Sequence, residues 1–267
     1  MSEVVQLEVR DGVAILTLNR PERLNAWTDE MERAYFDALE SCGASPEVRV
    51  IVVTGAGRGF CAGADMQQLQ ALGNGEVDAD ARARERRPQT FPTSIAKPII
   101  AAINGPCAGI GLVQALMCDL RFAAAGAKLT TAFARRGLVA EHGISWILPR
   151  LVGPAAALDL LLSARVLLAE EARELGLVNR VLAPELLLEE TLAYAHDLAA
   201  NCSPASMATI KRQVYAALDQ HLPQALDEAD GLMLESFAAP DFAEGVTSFL
   251  ERREPRFEAL AGSAPTG

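Results

Sequence analysis

Glu141 and His142 stand side by side in the segment GLVAEHGISW (137–146), in a chain with three histidines. A carboxylate next to an imidazole is equipped to move a proton near neutral pH, because the imidazole titrates there and a desolvated carboxylate is a competent base. A plainer reading stands beside it. Acids are favoured in the first turn of a helix by its dipole, and a histidine often only donates to a backbone carbonyl. The choice depends on whether the chain also builds a place to bind and polarise a substrate.

Two further segments share a design that fits such a place. FCAGADM (60–66) and GPCAGIGL (105–112) each put small residues between an expected strand and an expected helix. Small residues let a ligand approach the backbone, and a helix N-terminus offers free N–H groups. Two such loops can aim two N–H groups at one oxygen, which is how an oxyanion hole is made. Either loop alone reads as tight turns and close packing. GAGRGF lacks the full dinucleotide fingerprint, and no Walker-type G-K-[ST] occurs.

The elements that must position these residues follow from periodicity and turn chemistry. Val4–Val9 and Val13–Leu18 flank Asp11-Gly12, a strong hairpin signal. Thr28 caps an expected helix over 29–41, with Met31, Tyr35, Ala38 and Leu39 on one face. Val48–Val53 reads as a buried strand leading into GAGRGFCAGAD, which opens a helix near Met66–Ala71. Residues 73–92 are polar, Arg-rich and unperiodic, and read as a long loop. Pro98–Ile103 is a strand, followed by a helix near 109–117 and a strand over Leu120–Ala123. Helices are expected over 143–151, 154–163 and 169–175, with a short strand at Leu177–Val181. Beyond Pro184 the pattern is helical: 185–200, 204–219, 222–238 and 240–252. Strands and helices alternate up to about residue 182, which predicts an α/β core with a helical C-terminal portion. We divide the chain at 1–200 for the core and 201–267 for the helical C-terminal region, with GSAPTG (262–267) as a loose tail.

Composition narrows the function classes. With 267 residues, half of them hydrophobic, the chain can bury a large core. The net charge of −11 argues against non-specific binding to DNA, RNA or an anionic membrane. No apolar run reaches membrane-spanning length and no secretory signal is visible, so a cytoplasmic location is expected. The five cysteines lack CxxC spacing, which fits reduced thiols and neither a zinc site nor a disulfide framework.

Taken together, NRPERLNAW (19–27), GRGFCAGADM (57–66), KPIIAAINGPCAGIGL (97–112), CDLRFAA (118–124), LPRLVG (148–153), LGLVNRV (175–181) and SFLERREPRF (248–257) resemble the crotonase superfamily, the enoyl-CoA hydratase/isomerase family. The resemblance covers nearly the whole chain. It implies a crotonase-type spiral of β-β-α turns with a helical C-terminal region that serves oligomerisation, assembled as a homotrimer or a dimer of trimers. It implies an acyl-CoA thioester as substrate and no separate cofactor, since CoA is part of the substrate. The two oxyanion donors then fall on the N–H groups of Ala64 and Ile110, the latter in Gly109-Ile110-Gly111. The CoA moiety would follow 23–26 and 62–66. Arg23 would meet a phosphate, or be a plain surface arginine, while the backbone around Asn25, Ala26, Ala62 and Asp65 would frame the pantetheine and adenine, with Met66 beside it. Gly109, Val113, Phe133 and Trp146 complete the expected substrate contacts. Arg252 and Arg253 would reach CoA phosphates, or lie on a solvated helix face.

The chain departs from the hydratase pattern where that pattern places its two glutamates. Those positions hold Val113 and Phe133, a shift of one residue around the latter supplies Ala132 or Ala134, and nearby Gln114 is not a base. In some isomerases of the superfamily an acid sits at the position of Glu141. The resemblance therefore favours double-bond isomerisation of an enoyl-CoA, with Glu141 as the one base and acid and with Ile110, Val113, Phe133 and Trp146 as apolar walls around it. Hydration of a 2-enoyl-CoA, with Glu141 or His142 positioning water, is the alternative. A third reading is an acyl-CoA-binding protein with degraded catalysis. His196 and His221 read as structural, and Asp65 as a helix cap.

Overall fold

The computed structural model describes residues 3–76 and 86–260. The expected tail at 262–267 and part of the loop at 73–92 lie outside the described residues. β1 (Val5–Arg10) and β2 (Val13–Leu18) pair antiparallel around Asp11 and Gly12, at φ 48° and 81°. Positive φ at both central residues gives the turn the twist that a two-residue hairpin needs. β3 (Val50–Gly55), β4 (Ile99–Ile103), β6 (Leu120–Ala124) and β9 (Arg180–Leu182) then add in parallel, giving the six-stranded order β1-β2-β3-β4-β6-β9. β3 and β4 are buried at every position, as their unbroken Val/Ile/Ala runs require of strands covered on both faces.

Each return from one parallel strand to the next carries a short crossing segment and a helix. α1 (Asp29–Ala44) packs on β1 and β2, and the Thr28 hydroxyl accepts from the Met31 N–H as its sequence predicts. α2 is Met66–Gly73, and α3, Ile110–Leu116, is buried on all sides. The crossing segments form a second, smaller layer that periodicity does not reveal. β5 (Cys107–Ala108), β7 (Lys128–Thr130) and β8 (Leu167–Leu168) pair in the order β5-β7-β8. Single bridges continue this layer from Cys107 to Cys61 and from Ala64 to Trp27. The winding is the spiral of β-β-α turns implied by the resemblance.

Two strand starts shift for a visible reason, and one expected pair of helices runs together with its break in the expected place. β3 starts at Val50 because Val48 closes a turn onto the Ser45 carbonyl. β9 starts at Arg180 because the N–H groups of Leu177 and Val178 both cap α5 (Ala169–Glu174) through the Ala172 carbonyl. The two helices over 143–163 form α4 (Ile144–Ser163), broken at Gly153 with φ 79° and ψ 158°. Among the described residues α4 is the one helix long and apolar enough to cross a membrane, where sequence inspection saw no such run; the break divides it into two short pieces.

α6 (Leu187–Asn201) covers β2, β3, β4 and β6, which ties the chain to residue 201 into the core. α7 (Pro204–Ala217) is pinned to the core through Asp119, which receives the Lys211 ammonium at 2.8 Å and the Tyr215 hydroxyl at 3.1 Å. α8 (Leu222–Phe237) and α9 (Pro240–Glu251) follow, and they leave Leu222 80% and Phe249 82% exposed.

Candidate active site

The loop after β3 is held by the segment before α1. Asn25, at φ 55° and fully buried, accepts from the Arg20 N–H at 2.8 Å and donates to the Ala56 and Gly59 carbonyls at 3.0 and 2.8 Å. Its side chain is therefore spent on shaping the loop, and Asn25 is absent from the wall of the cleft described below, which leaves framing to its neighbours. Asn25→Ala leaves three polar partners stranded, and we expect a loss of roughly 3 kcal/mol and a Tm lower by about 10 °C in calorimetry. A shift of under about 2 °C would contradict this role.

Beyond that anchor, the Trp27 N–H donates to the Gly63 carbonyl at 2.8 Å and the Asp65 N–H to the Trp27 carbonyl at 2.9 Å. In a parallel bridge of this kind the residue between those two bonds turns its own N–H to the opposite side. That residue is Ala64. Asp65 caps α2, its carboxylate accepting the Gln67 N–H at 3.0 Å and the Arg20 guanidinium at 3.1 Å. Burial opposes its charge, but the Gln67 N–H and Arg20 outweigh it and hold the carboxyl below its usual range.

The second loop meets the first edge to edge. Gly109, at φ 51° and ψ −123°, donates to the Thr130 carbonyl at 3.1 Å. A Cβ added to it would lie 3.9 Å from Gly63 Cα, so the two glycines that precede Ala64 and Ile110 are in contact. Gly111 sits closer still: a Cβ there would be 2.4 Å from the Cys61 carbonyl oxygen, which only glycine avoids. Ile110 is the first residue of α3, where an N–H has no helical partner. Among the described residues neither the Ala64 nor the Ile110 N–H donates to a protein acceptor.

Both residues line a cleft of about 1080 Å³. Of the expected contacts, Arg23, Ala26, Ala62, Asp65, Met66, Gly109 and Phe133 share that wall, together with Glu141 and His142. Val113 and Trp146 do not. Val113 is fully buried within α3, and Trp146 is half-buried against the core, with the Arg150 guanidinium stacked on its ring at 4.2 Å. Gln114 points away to Gln89. Arg253 is taken by Glu244 and Glu251, and Arg252 is not on the wall. Sequence reasoning missed Trp27, Arg86 and Arg136, which are.

Asp65 and Glu141 are the cleft's carboxylates among the described residues, and Asp65 is engaged by Arg20. Glu141 approaches His142 Nε2 at 3.5 Å, with side chains 36% and 28% exposed. His142 and Gly143, at φ 61° and 82°, turn the chain sharply into α4, which sets the pair on the cleft rim. Cys61, just beneath the first loop, has its thiol pushed up to about 12 by burial and serves packing rather than nucleophilic attack. No cluster of metal-ligating side chains occurs among the described residues.

Comparison with known proteins gives the family and the fold. The family model described as enoyl-CoA hydratase/isomerase matches residues 8–260. The 1,2-epoxyphenylacetyl-CoA isomerase of Escherichia coli is 37% identical, over 96% of this chain and 99% of its own length. The crystal structure of an enoyl-CoA hydratase from Mycobacterium marinum is 55% identical and superposes with a TM-score of 0.69, covering 80% of this chain and 98% of that one. An enoyl-CoA hydratase from a Polaromonas species superposes with a TM-score of 0.88 at 32% identity, covering 95% and 99%.

Proposed function

The chain belongs to the enoyl-CoA hydratase/isomerase family, and from that premise we propose that it shifts the double bond of an enoyl-CoA thioester, with Glu141 as its proton carrier. Relatives carry both isomerase and hydratase names, so the choice of reaction rests on the cleft itself. The observation that carries it is the pairing of two unengaged N–H groups, Ala64 and Ile110, with one carboxylate on the same wall that no arginine holds.

Glu141 takes a proton from C2 of a 3-enoyl-CoA. The electron pair moves into the thioester, and the oxygen that gains the charge receives the Ala64 and Ile110 N–H groups. The same carboxylic acid then returns its proton to C4, giving the 2-enoyl-CoA with no net gain or loss of atoms. Val113 and Phe133 put no carboxylate where a second one would hold a water. Arg23 and Arg136, both exposed on the wall, suit the phosphates of CoA. The CoA is substrate, not cofactor.

Hydration is the second reading, favoured by the Glu141–His142 contact, which offers two groups to one water. Incubating 3-enoyl- and 2-enoyl-CoA with the protein in D₂O, followed by mass spectrometry, separates the two. Double-bond migration with deuterium uptake is expected. A hydroxyacyl-CoA product would replace isomerisation by hydration, and binding without turnover would mark an acyl-CoA-binding protein.

The apolar side chains left open on α8 and α9 suit contacts between copies, as a trimer or a dimer of trimers. All five cysteines are free, in keeping with a reducing, cytoplasmic setting.

A further inference from the structure

One charge pair on the cleft wall is left unexplained by proton transfer or by CoA binding. Glu32 of α1 is buried, yet it carries a carboxylate. That carboxylate accepts the Trp27 indole N–H at 3.1 Å and the Gln89 amide at 2.8 Å, and Gln89 is held in turn by Gln114 at 2.8 Å. Its third partner is Arg86, which donates through Nε and Nη2 in a two-pronged pair. Four side chains from separate segments thus converge to aim one guanidinium.

A buried ion pair is a poor way to gain stability, since apolar residues of the same volume serve as well or better. This one is also incomplete as a structural unit. Arg86 lines the cleft with its side chain 21% exposed, and its Nη1 donates to no described residue. Arg86 and Glu141 line the same cleft, and the Glu141 charge acts on the guanidinium. Asp29 acts on it as well. Glu32 binds this cation directly, and Asp29 and Glu141 add their negative potential to it. A further carboxylate is disfavoured there, whereas a neutral oxygen can still accept the unused N–H.

Building on the acyl-CoA reading above, we propose that Arg86 determines acyl specificity: its Nη1 donates to a neutral acceptor oxygen, a hydroxyl, keto or ether group, on the acyl portion of the substrate. The expected ligand is an oxygenated acyl-CoA rather than a plain hydrocarbon chain. Arg86 recognises the substrate, and Glu32 positions Arg86.

The test is calorimetric binding of saturated acyl-CoA of one chain length in three forms: hydrocarbon, hydroxylated and carboxylate-terminated. The hydroxylated form is expected to bind the natural chain tighter than the other two by about tenfold or more. In Arg86→Met that ratio should collapse to about one, and Arg86→Lys should restore part of it. Because Arg86→Met strands the Glu32 charge, Glu32→Gln combined with Arg86→Met is measured alongside and should give the same collapse. Equal affinities in the natural chain, a preference for the carboxylate, or a ratio unchanged by Arg86→Met would overturn the proposal. Failure of all three ligands and of CoA itself to bind would instead overturn the acyl-CoA reading beneath it.

Discussion

Glu141→Gln is expected to bind acyl-CoA within about threefold of the natural chain and to lose isomerase turnover by roughly 10³-fold. The substitution keeps the shape of the side chain and removes its basicity. It should cost little stability, because the structural bond at this position, from the Ile144 N–H at 3.2 Å, ends on the Glu141 backbone carbonyl. A third of the side chain is open to solvent, so no buried partner is stranded. The loss should fall on kcat, since proton abstraction is a transition-state event. Stopped-flow detection of the conjugated 2-enoyl product gives kcat, and displacement of a labelled CoA ligand gives affinity. Turnover reduced by less than about tenfold would remove Glu141 as the base and leave His142 as the next group to test.

Ile110→Pro carries the second large effect. Proline deletes an N–H, and position 110 is the first residue of α3, where proline's fixed φ suits a helix and no helical hydrogen bond is lost. Gly109 before it, at φ 51° and ψ −123°, is extended in mirror image, so the usual conflict of proline with a preceding α-conformation does not arise. The helix should survive, and its next bond, from Val113 N–H to the Gly109 carbonyl at 3.0 Å, is untouched. With one of the two proposed oxyanion donors gone, kcat is expected to fall by about 10²–10³-fold, some 3–4 kcal/mol of transition-state stabilisation. Ile110→Val, which keeps the N–H, should stay close to the natural rate. A proline variant that melts normally and turns over normally would remove the Ile110 N–H from the mechanism.

The parts of the site that could be read from sequence are those governed by local rules. Thr28 and Asp65 declared themselves as caps, and the two small-residue loops as sites of close backbone approach. Trp146 was expected on the cleft from its closeness to Glu141 in sequence, but in the first turn of α4 it packs half-buried against the core and under Arg150. Val113 was expected on the cleft because the resemblance puts a hydratase glutamate at its position, but α3 is buried on every side and Val113 is not on the cleft wall. The strands β5, β7 and β8 are two or three residues long, too short to show a period. Arg86 lies in an arginine-rich run with no pattern, and its partner Glu32 is 54 residues away. Asn25 looked like one more polar loop residue because its three bonds reach backbone atoms on both sides of it in space, not in sequence.

The bridge from Trp27 to Ala64 and the bond from Gly109 to the Thr130 carbonyl bear on how the molecule comes to be active. Each donor is placed by a pairing between distant stretches of chain, and such parallel contacts form slowly because a long loop must close first. The pocket therefore belongs to the finished spiral and to none of its pieces. A nascent chain that stops short of β7 has both glycine loops but lacks the carbonyl that sets Gly109, so this part of the pocket takes shape only after synthesis has passed residue 130.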